Sequence, residues 1–172
     1  MANNIIITGA NQGIGYYMAE KLLAEGNKVS VLDIETDNLA TLKTKYDSLI
    51  FYQVDLRNYD EVKRAVDETV AEFGAIDIAV HNACKCTFES EKETDLDTYN
   101  DVFDVNYFGA LRLVKSVIPY MSAQQKGRVI FTSSGVGVTG FKNISPYSST
   151  KGALEALAKC LRIEYVKDNI TF

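Results

Sequence analysis

A tyrosine and a lysine four positions apart are the residues of this sequence best suited to chemistry. Tyr147 and Lys151 lie in the stretch SPYSSTKGAL, which has the pattern of a helix start. Four residues are slightly more than one helical turn, so both side chains point the same way. A phenol has a pKa near about 10, and a neighbouring ammonium group favours its charged form. The pair therefore predicts a tyrosine that exchanges protons, with a mere surface contact as the alternative.

A glycine-rich turn near the start of the chain is the second chemical feature. The segment TGANQGIG, residues 8–15, follows an apolar run and opens a helical pattern. Glycine lets the backbone turn tightly and lets a diphosphate approach, and a helix start offers free N–H groups. A Gly-Lys-Ser/Thr sequence is absent here, which argues against an ATPase. The segment predicts a dinucleotide-binding turn, whereas a tight turn without a ligand is the alternative.

Asp33 ends the second apolar run, 18 positions after Gly15. An acidic residue at about this distance can bind a ribose with a free 2′-hydroxyl and would repel a 2′-phosphate. Its surroundings, LDIET, contain no Lys or Arg. The carboxylate therefore favours NAD over NADP, and a helix-capping Asp is the other interpretation.

Strand and helix patterns alternate along the chain, which predicts a doubly wound parallel sheet of the Rossmann type with helices on both faces, in three layers. We expect residues 1–172 to form a single domain. Loops at the carboxyl ends of the strands, 83–94 and 135–145 among them, would form the ligand crevice. The predicted strands are 3–8, 28–33, 49–55, 76–81 and 127–133, and the predicted helices are 13–25, 36–47, 58–73, 95–122 (one helix or a broken pair) and 148–167.

Composition excludes several classes of function. The chain has a net charge of -5 and no basic stripe, which argues against nucleic acid and anionic membranes as partners. No apolar run is long enough to span a bilayer, and the first residues do not resemble a signal peptide. The three cysteines are interpreted as reduced thiols of a cytoplasmic protein, and Cys84 with Cys86 falls short of a metal site.

Six stretches in a familiar order resemble the short-chain dehydrogenase/reductase family. They are TGANQGIG (8–15), Val54 with Asp55, HNAC (81–84), VNYFG (105–109), FTSSGVG (131–137) and YSSTK (147–151). The resemblance covers nearly the whole chain. It implies an NAD-dependent oxidoreductase that interconverts a secondary alcohol and a ketone.

The resemblance also assigns roles to individual residues. Tyr147 would be the general acid/base, Lys151 its helper and a ribose ligand, and Ser134 the group that holds the reacting oxygen. Asn106 would help bind a water that links Lys151 to solvent. The implied cofactor-binding set is Gly9, Asn11, Gln12, Gly13, Ile14, Gly15, Asp33, Ile34, Asp55, Leu56, Asn82, Ala83, Tyr147 and Lys151.

Two departures from the family pattern leave a second function open. Cys84 replaces a glycine near the cofactor, and the chain stops at NITF (169–172), which has the pattern of the beginning of a sixth strand. The chain is therefore expected to be truncated relative to the family. The alternative function is a catalytically impaired module that binds NAD(H) or acts by association. By resemblance the partners are a small alcohol or ketone and a second copy of the chain, as a homodimer or homotetramer.

Overall fold

Six parallel strands form one sheet within residues 2–172, which are the residues described by the computed structural model. The strand order is β3-β2-β1-β4-β5-β6. The predicted doubly wound parallel sheet is confirmed. Strands β2 and β3 are added on one side of β1, and β4, β5 and β6 are added on its other side. The strands are β1 (Asn4–Thr8), β2 (Lys28–Asp33), β3 (Leu49–Gln53), β4 (Ile78–His81), β5 (Gly127–Phe131) and β6 (Ile170–Thr171).

Helices cover both faces of this sheet and give the predicted three layers. Helices α1 and α2 pack on one face, whereas α3, α5 and part of α7 pack on the other. The helices are α1 (Gly13–Ala24), α2 (Asp37–Lys43), α3 (Tyr59–Phe73), α4 (Leu96–Phe103), α5 (Gly109–Ala123), α6 (Val136–Thr139) and α7 (Ser145–Glu164).

The alternation of side chains in β1 shows why both layers are needed. Ile6 packs into the cluster beneath α3 and α5, whereas Ile5 and Ile7 pack into the cluster beneath α1 and α2. All three side chains are at most 2% exposed. A strand that is apolar on both faces is stable only when both faces are covered, as in a parallel sheet flanked by helices.

The stretch predicted as one long helix or a broken pair, residues 95–122, forms three joined segments. Helix α4 passes into a π-helical turn at Asp104–Phe108, and α5 continues from Gly109. Such turns insert an extra residue into a helix and are frequent at functional sites. Asn106 lies inside this turn and is fully buried.

The segment before α7 also departs from expectation. Residues 135–145 were expected to be irregular, but Val136–Thr139 form the short helix α6. Helix α7 begins at Ser145 instead of residue 148, with Pro146 in its first turn, where a missing N–H costs little. This earlier start places Tyr147 in the first turn of α7.

Within residues 2–172, no helix has both the length and the apolar character needed to cross a membrane.

Candidate active site

A cavity of about 700 Å³ opens at the carboxyl ends of β1 to β5, at the switch point of the sheet. This is where an open α/β sheet binds its ligand, because loops from strands that diverge leave a crevice between them. Twelve of the residues predicted for the site line this cavity: Gly9, Gln12, Ile14, Asp33, Ile34, Asp55, Leu56, Asn82, Ala83, Ser134, Tyr147 and Lys151.

The glycine-rich turn passes so close to its neighbours that side chains are excluded. Gly9 has φ +69, and a Cβ there would lie 2.4 Å from the Cα of Ala83. A Cβ on Gly15 would lie 2.1 Å from the carbonyl oxygen of Gly9. These contacts bring the start of α1 directly against the end of β1, so its first N–H groups lie at the edge of the crevice.

The start of α1 is suited to an anion. Its N-cap residue, Gln12, makes no side-chain capping bond, and its first turn contains no acidic residue. Uncapped N–H groups and the positive end of the helix dipole favour a phosphate. Gln12 and Ile14 are exposed at the cavity wall, with Ile14 73% exposed. The turn therefore fits the diphosphate of a dinucleotide.

Asp33 lies at the cavity wall beside the glycine-rich turn. Its Oδ2 accepts a hydrogen bond of 2.7 Å from the backbone N–H of Asn11, and its Oδ1 accepts one of 3.2 Å from Glu35. A carboxylate oxygen has two lone pairs, so each retains one for a ligand hydroxyl. The position fits the ribose role that the sequence predicts.

Asp55 also lines the cavity, but its carboxylate already has a protein partner. The Arg57 guanidinium donates to both oxygens, with the shortest distance 2.7 Å, and holds the pKa of the Asp55 carboxyl below its usual range. An adenine contact through this side chain, as the resemblance implies, would have to share the carboxylate with Arg57.

Two cations at this end of the cavity were not identified from the sequence. Arg57 donates to Asp101 at 2.9 Å, and Lys85 also pairs with Asp101, so both are fixed to α4. All three residues line the cavity. Arg57 is two positions after Asp55 and Lys85 directly follows HNAC, which could have drawn attention to both, although sequence spacing does not reveal the shared carboxylate.

Tyr147 and Lys151 both line the cavity and lie close together. The Lys151 ammonium is 5.3 Å from the centre of the Tyr147 ring. Burial raises the pKa of the Tyr147 phenol, a thiolate at Cys84 would raise it further, and the neighbouring Ser134 hydroxyl opposes the rise. Ser134 and Tyr147 both line the cavity, and the Ser134 hydroxyl is near enough to the phenol to act on its pKa.

Lys151 has a hydrogen-bond partner of its own besides its contact with Tyr147. Its side chain is only 1% exposed, and its Nζ donates to the carbonyl oxygen of Thr132 at 2.6 Å. Burial lowers the pKa of Lys151, because no carboxylate compensates for the lost hydration, whereas thiolates at Cys84 and Cys86 would raise it. The Lys151 ammonium is thus held by the residue that directly follows β5.

Asn106 is beside the site but does not line the cavity. Its Nδ2 donates to the Lys85 carbonyl at 2.9 Å and to Thr150 Oγ1 at 3.1 Å, and its Oδ1 accepts from the Lys85 N–H at 2.7 Å. The amide group is therefore occupied by the loop after β4 and by α7. A role in holding a water, as the resemblance implies, is left to its backbone carbonyl.

That carbonyl is bound by His81, the residue that ends β4. The Asn106 oxygen can only accept, so His81 Nε2, at 3.0 Å, must carry the proton. His81 Nδ1 is then an acceptor, and the Thr8 hydroxyl donates to it at 3.1 Å. This chain of bonds joins the end of β1 to the π-helical turn and was not predicted from the sequence.

The residues after His81 connect neighbouring strand ends. Asn82 Nδ2 donates to the Gly9 carbonyl at 2.7 Å, and Thr132 Oγ1 donates to Asn82 Oδ1 at 3.3 Å. Cys84, where the family has glycine, is exposed at the cavity wall and has no positive φ. Its Cβ is accommodated without backbone strain.

Four predicted residues do not line the cavity: Asn11, Gly13, Gly15 and Asn106. Gly13 has a positive φ, and Gly15 allows close packing against the Gly9 carbonyl, so both glycines determine the conformation of the turn. The Asn11 side chain is turned towards the start of α2, and Asn106 is turned into the core. Within residues 2–172 no group of three His, Cys, Asp or Glu side chains is placed to hold a metal ion.

The fold and the site together match one family. Residues 3–172 match the short chain dehydrogenase family model, and the chain belongs to this family. It is 30% identical to 2-(R)-hydroxypropyl-CoM dehydrogenase of Xanthobacter autotrophicus, over 99% of this chain and 71% of that protein.

Solved structures of similar proteins show the same fold. The NAD+-bound xylitol dehydrogenase has a TM-score of 0.92 and 29% identity, over 98% of this chain and 66% of that one. ElxO with NADP bound has a TM-score of 0.92 and 26% identity, over 99% of this chain and 71% of that one. Because these neighbours hold different dinucleotides, the comparisons leave the choice between NAD and NADP open.

The chain is short beside these proteins. It spans 71% of the length of the Xanthobacter autotrophicus dehydrogenase and 52% of that of 3-dehydrosphinganine reductase TSC10B of Arabidopsis thaliana. Activity, substrate and partners of the whole protein are therefore matters for proposal.

Proposed function

We propose that this chain is an NAD-dependent oxidoreductase that interconverts a secondary alcohol and a ketone, with Tyr147 as the general acid/base. The observation that carries the proposal is the shared cavity: a glycine-rich turn suited to a diphosphate lies at one wall, and Ser134 with Tyr147 lies at another. The nicotinamide group, when bound, would supply or accept the hydride.

The roles of the chain's own residues follow from their positions. The N–H groups at the start of α1 would bind the diphosphate, and the free lone pairs of Asp33 would bind the ribose hydroxyls. Ser134 would orient the reacting oxygen. Tyr147 would donate a proton to that oxygen in reduction and accept it in oxidation.

Burial raises the pKa of Tyr147, so the phenol is protonated at neutral pH in the chain without a cofactor and can act as an acid.

Tyr147→Phe tests the proposed acid/base directly. The variant should bind NADH as the original chain does, because the ring is kept, and should lose at least about a hundredfold in turnover of a ketone panel. NADH fluorescence measures binding and NADH absorbance measures turnover. Tyr59→Phe, a change at an exposed tyrosine outside the cavity wall, is the matched control.

The outcomes separate the proposed enzyme from the non-catalytic alternative. Equal turnover by Tyr147→Phe and the original chain would contradict the role of the phenol. NADH binding without turnover in the original chain would instead support a module that binds the dinucleotide only.

Assembly and location are also part of the proposal. We expect a homodimer or homotetramer in the cytoplasm. The exposed apolar residues Leu96 on α4 and Ile163 on α7 support pairing through the long helices. Light scattering of the purified chain measures its mass directly, and a monomer at micromolar concentration would contradict the pairing.

A further inference from the structure

Asn11 lies in the glycine-rich turn that follows β1, but its side chain makes all its hydrogen bonds to the first turn of α2. The side chain is buried, with 2% of the residue exposed. Its Nδ2 donates to Asp37 Oδ1 at 2.9 Å, and its Oδ1 accepts from the N–H groups of Asn38 at 3.0 Å and Leu39 at 3.3 Å. Every polar atom of the side chain thus contacts the first turn of α2.

Helix α2 depends on this contact, because its own N-cap residue does not cap it. The Thr36 side chain makes no capping hydrogen bond. The first N–H groups of a helix have no partner within the helix and need an acceptor from elsewhere. Asn11, which is 27 positions before Asn38, supplies that acceptor. It caps α2 from a different loop.

The same residue fixes Asp33. The Asn11 N–H donates to Asp33 Oδ2 at 2.7 Å, and Asn38 Nδ2 donates back to the Asn11 carbonyl at 3.0 Å. The carboxylate is thereby held between the glycine-rich turn and the segment that leads into α2. Its orientation at the cavity wall depends on how these two segments meet.

Negative charge is concentrated in that segment. Asp33, Glu35 and Asp37 occupy three of five consecutive positions, and no Lys or Arg accompanies them. The hydrogen bond from Asn11 is the largest cause that lowers the pKa of Asp37. Asp37 is therefore ionised throughout the neutral range.

We propose that Asn11 is a positioning residue that sets the choice of dinucleotide, by holding Asp33 and the acidic segment 33–37 where they accept a ribose hydroxyl and repel a 2′-phosphate. The proposal rests on the proposed dinucleotide function and extends it to a residue that lies outside the cavity wall. Asparagine suits the position because it combines an acceptor for the helix with a donor for Asp37, which neither alanine nor aspartate does.

Dissociation constants for NADH and NADPH, measured by fluorescence titration, test this inference in Asn11→Ala. We expect NADH to bind about tenfold more weakly, while NADPH binding is unchanged or stronger. The preference for NADH over NADPH should thus fall at least about tenfold. A change in preference is a readout that loss of stability alone would not produce.

Asn27→Ala is the matched control. Asn27 is also buried, at 7% exposure, and bonds to Asn3 and Leu22 at the amino end of the sheet, away from the cavity. It should lower the melting temperature and leave the NADH to NADPH preference as it was. Should Asn11→Ala be too unstable for titration, Asn11→Ser, with a side chain too short to reach all three partners, should show a smaller fall in preference.

The outcomes distinguish the two proposals. An unchanged preference in Asn11→Ala, or in Asn11→Ser where the alanine variant is not measurable, would overturn the positioning role while the proposed function stands. If the original chain binds neither NADH nor NADPH, the proposed function fails and the inference fails with it.

Discussion

The thiol of Cys84 lies at the cavity wall near both Tyr147 and Lys151. It is exposed, whereas Cys86 is partly buried and its pKa is raised chiefly by that burial. Cys160 is exposed on α7, outside the cavity wall. The three thiols therefore report on three different environments.

Maleimide labelling of these thiols should depend on the dinucleotide at one position only. Saturating NADH should slow the labelling of Cys84 at least about tenfold, because a bound ligand covers it, and should leave Cys160 unaffected. Mass mapping of peptides gives the rate at each site. Equal labelling of Cys84 with and without NADH would contradict the placement of the cofactor in this cavity.

Lys151 shows what helical spacing predicts and what it does not. Lys151 is one helical turn from Tyr147, as the spacing predicts, yet its ammonium donates to Thr132 and its own pKa is lowered by burial. Spacing along a helix predicts which side chains share a face. It does not predict which distant carbonyl one of them will bind, because that carbonyl belongs to Thr132, directly after β5.

Among the secondary-structure elements, the start of α1 packs so closely against the glycine-rich turn that there is no room for a side chain at Gly15. Gly15→Ala would place a methyl group against the Gly9 carbonyl and the Asn82 amide, both of which hold the strand ends in place. We expect a loss of about 1 to 3 kcal/mol in the free energy of unfolding and no measurable NADH binding. Urea denaturation and fluorescence titration measure the two effects.

Gly135→Ala provides the comparison for this change. A Cβ at Gly135 meets nothing within 4 Å, and its φ of -54 is open to any residue. The variant should keep both stability and NADH binding. Wild-type binding by Gly15→Ala would show that the turn has more room than the contacts indicate.

Most of the elements could be predicted from local patterns. Runs of β-branched residues such as Ile5 to Ile7 identify strands buried on both faces, and the helix ends were within a few residues. The π-helical turn around Asn106 could not be predicted from local patterns. It is stabilised by bonds to His81, Lys85 and Thr150, which are distant in sequence.

For the candidate site as well, local sequence patterns predicted the position of many residues but not the contacts between distant ones. Motifs located twelve of the residues that line the cavity, from Gly9 to Lys151, because each motif is a local stretch at a strand end. They did not locate the partners of Asn11 and Asp55. Asp37 is 26 positions from Asn11 and is recognised only when the chain is folded, whereas Arg57 is two positions from Asp55 and could have been considered.

At the scale of the whole molecule, one buried histidine makes stability depend on pH. His81 is the only histidine of the chain. Burial and the charge of Lys151 lower its pKa from 6.5 to about 3. The folded chain keeps His81 neutral while the unfolded chain takes up a proton near pH 6.5, so this stability is complete above that pH and is lost as the pH falls towards 3.

Between pH 6.5 and 4.5 we expect the free energy of unfolding to fall by about 2 to 3 kcal/mol. Urea denaturation at several pH values measures it. The carboxylates titrate mostly below this window, so His81→Gln, which cannot charge, should remove most of the slope. An equal slope in His81→Gln and the original chain would contradict the assignment.

The central claim is that one cavity brings a dinucleotide held by residues 9–15 next to Tyr147. A crystal structure of the chain with NAD+ tests it most directly. We expect the diphosphate to lie against the first N–H groups of α1 and the nicotinamide ring to lie beside the Tyr147 hydroxyl. A dinucleotide bound elsewhere, or a nicotinamide ring out of reach of Tyr147, would contradict it.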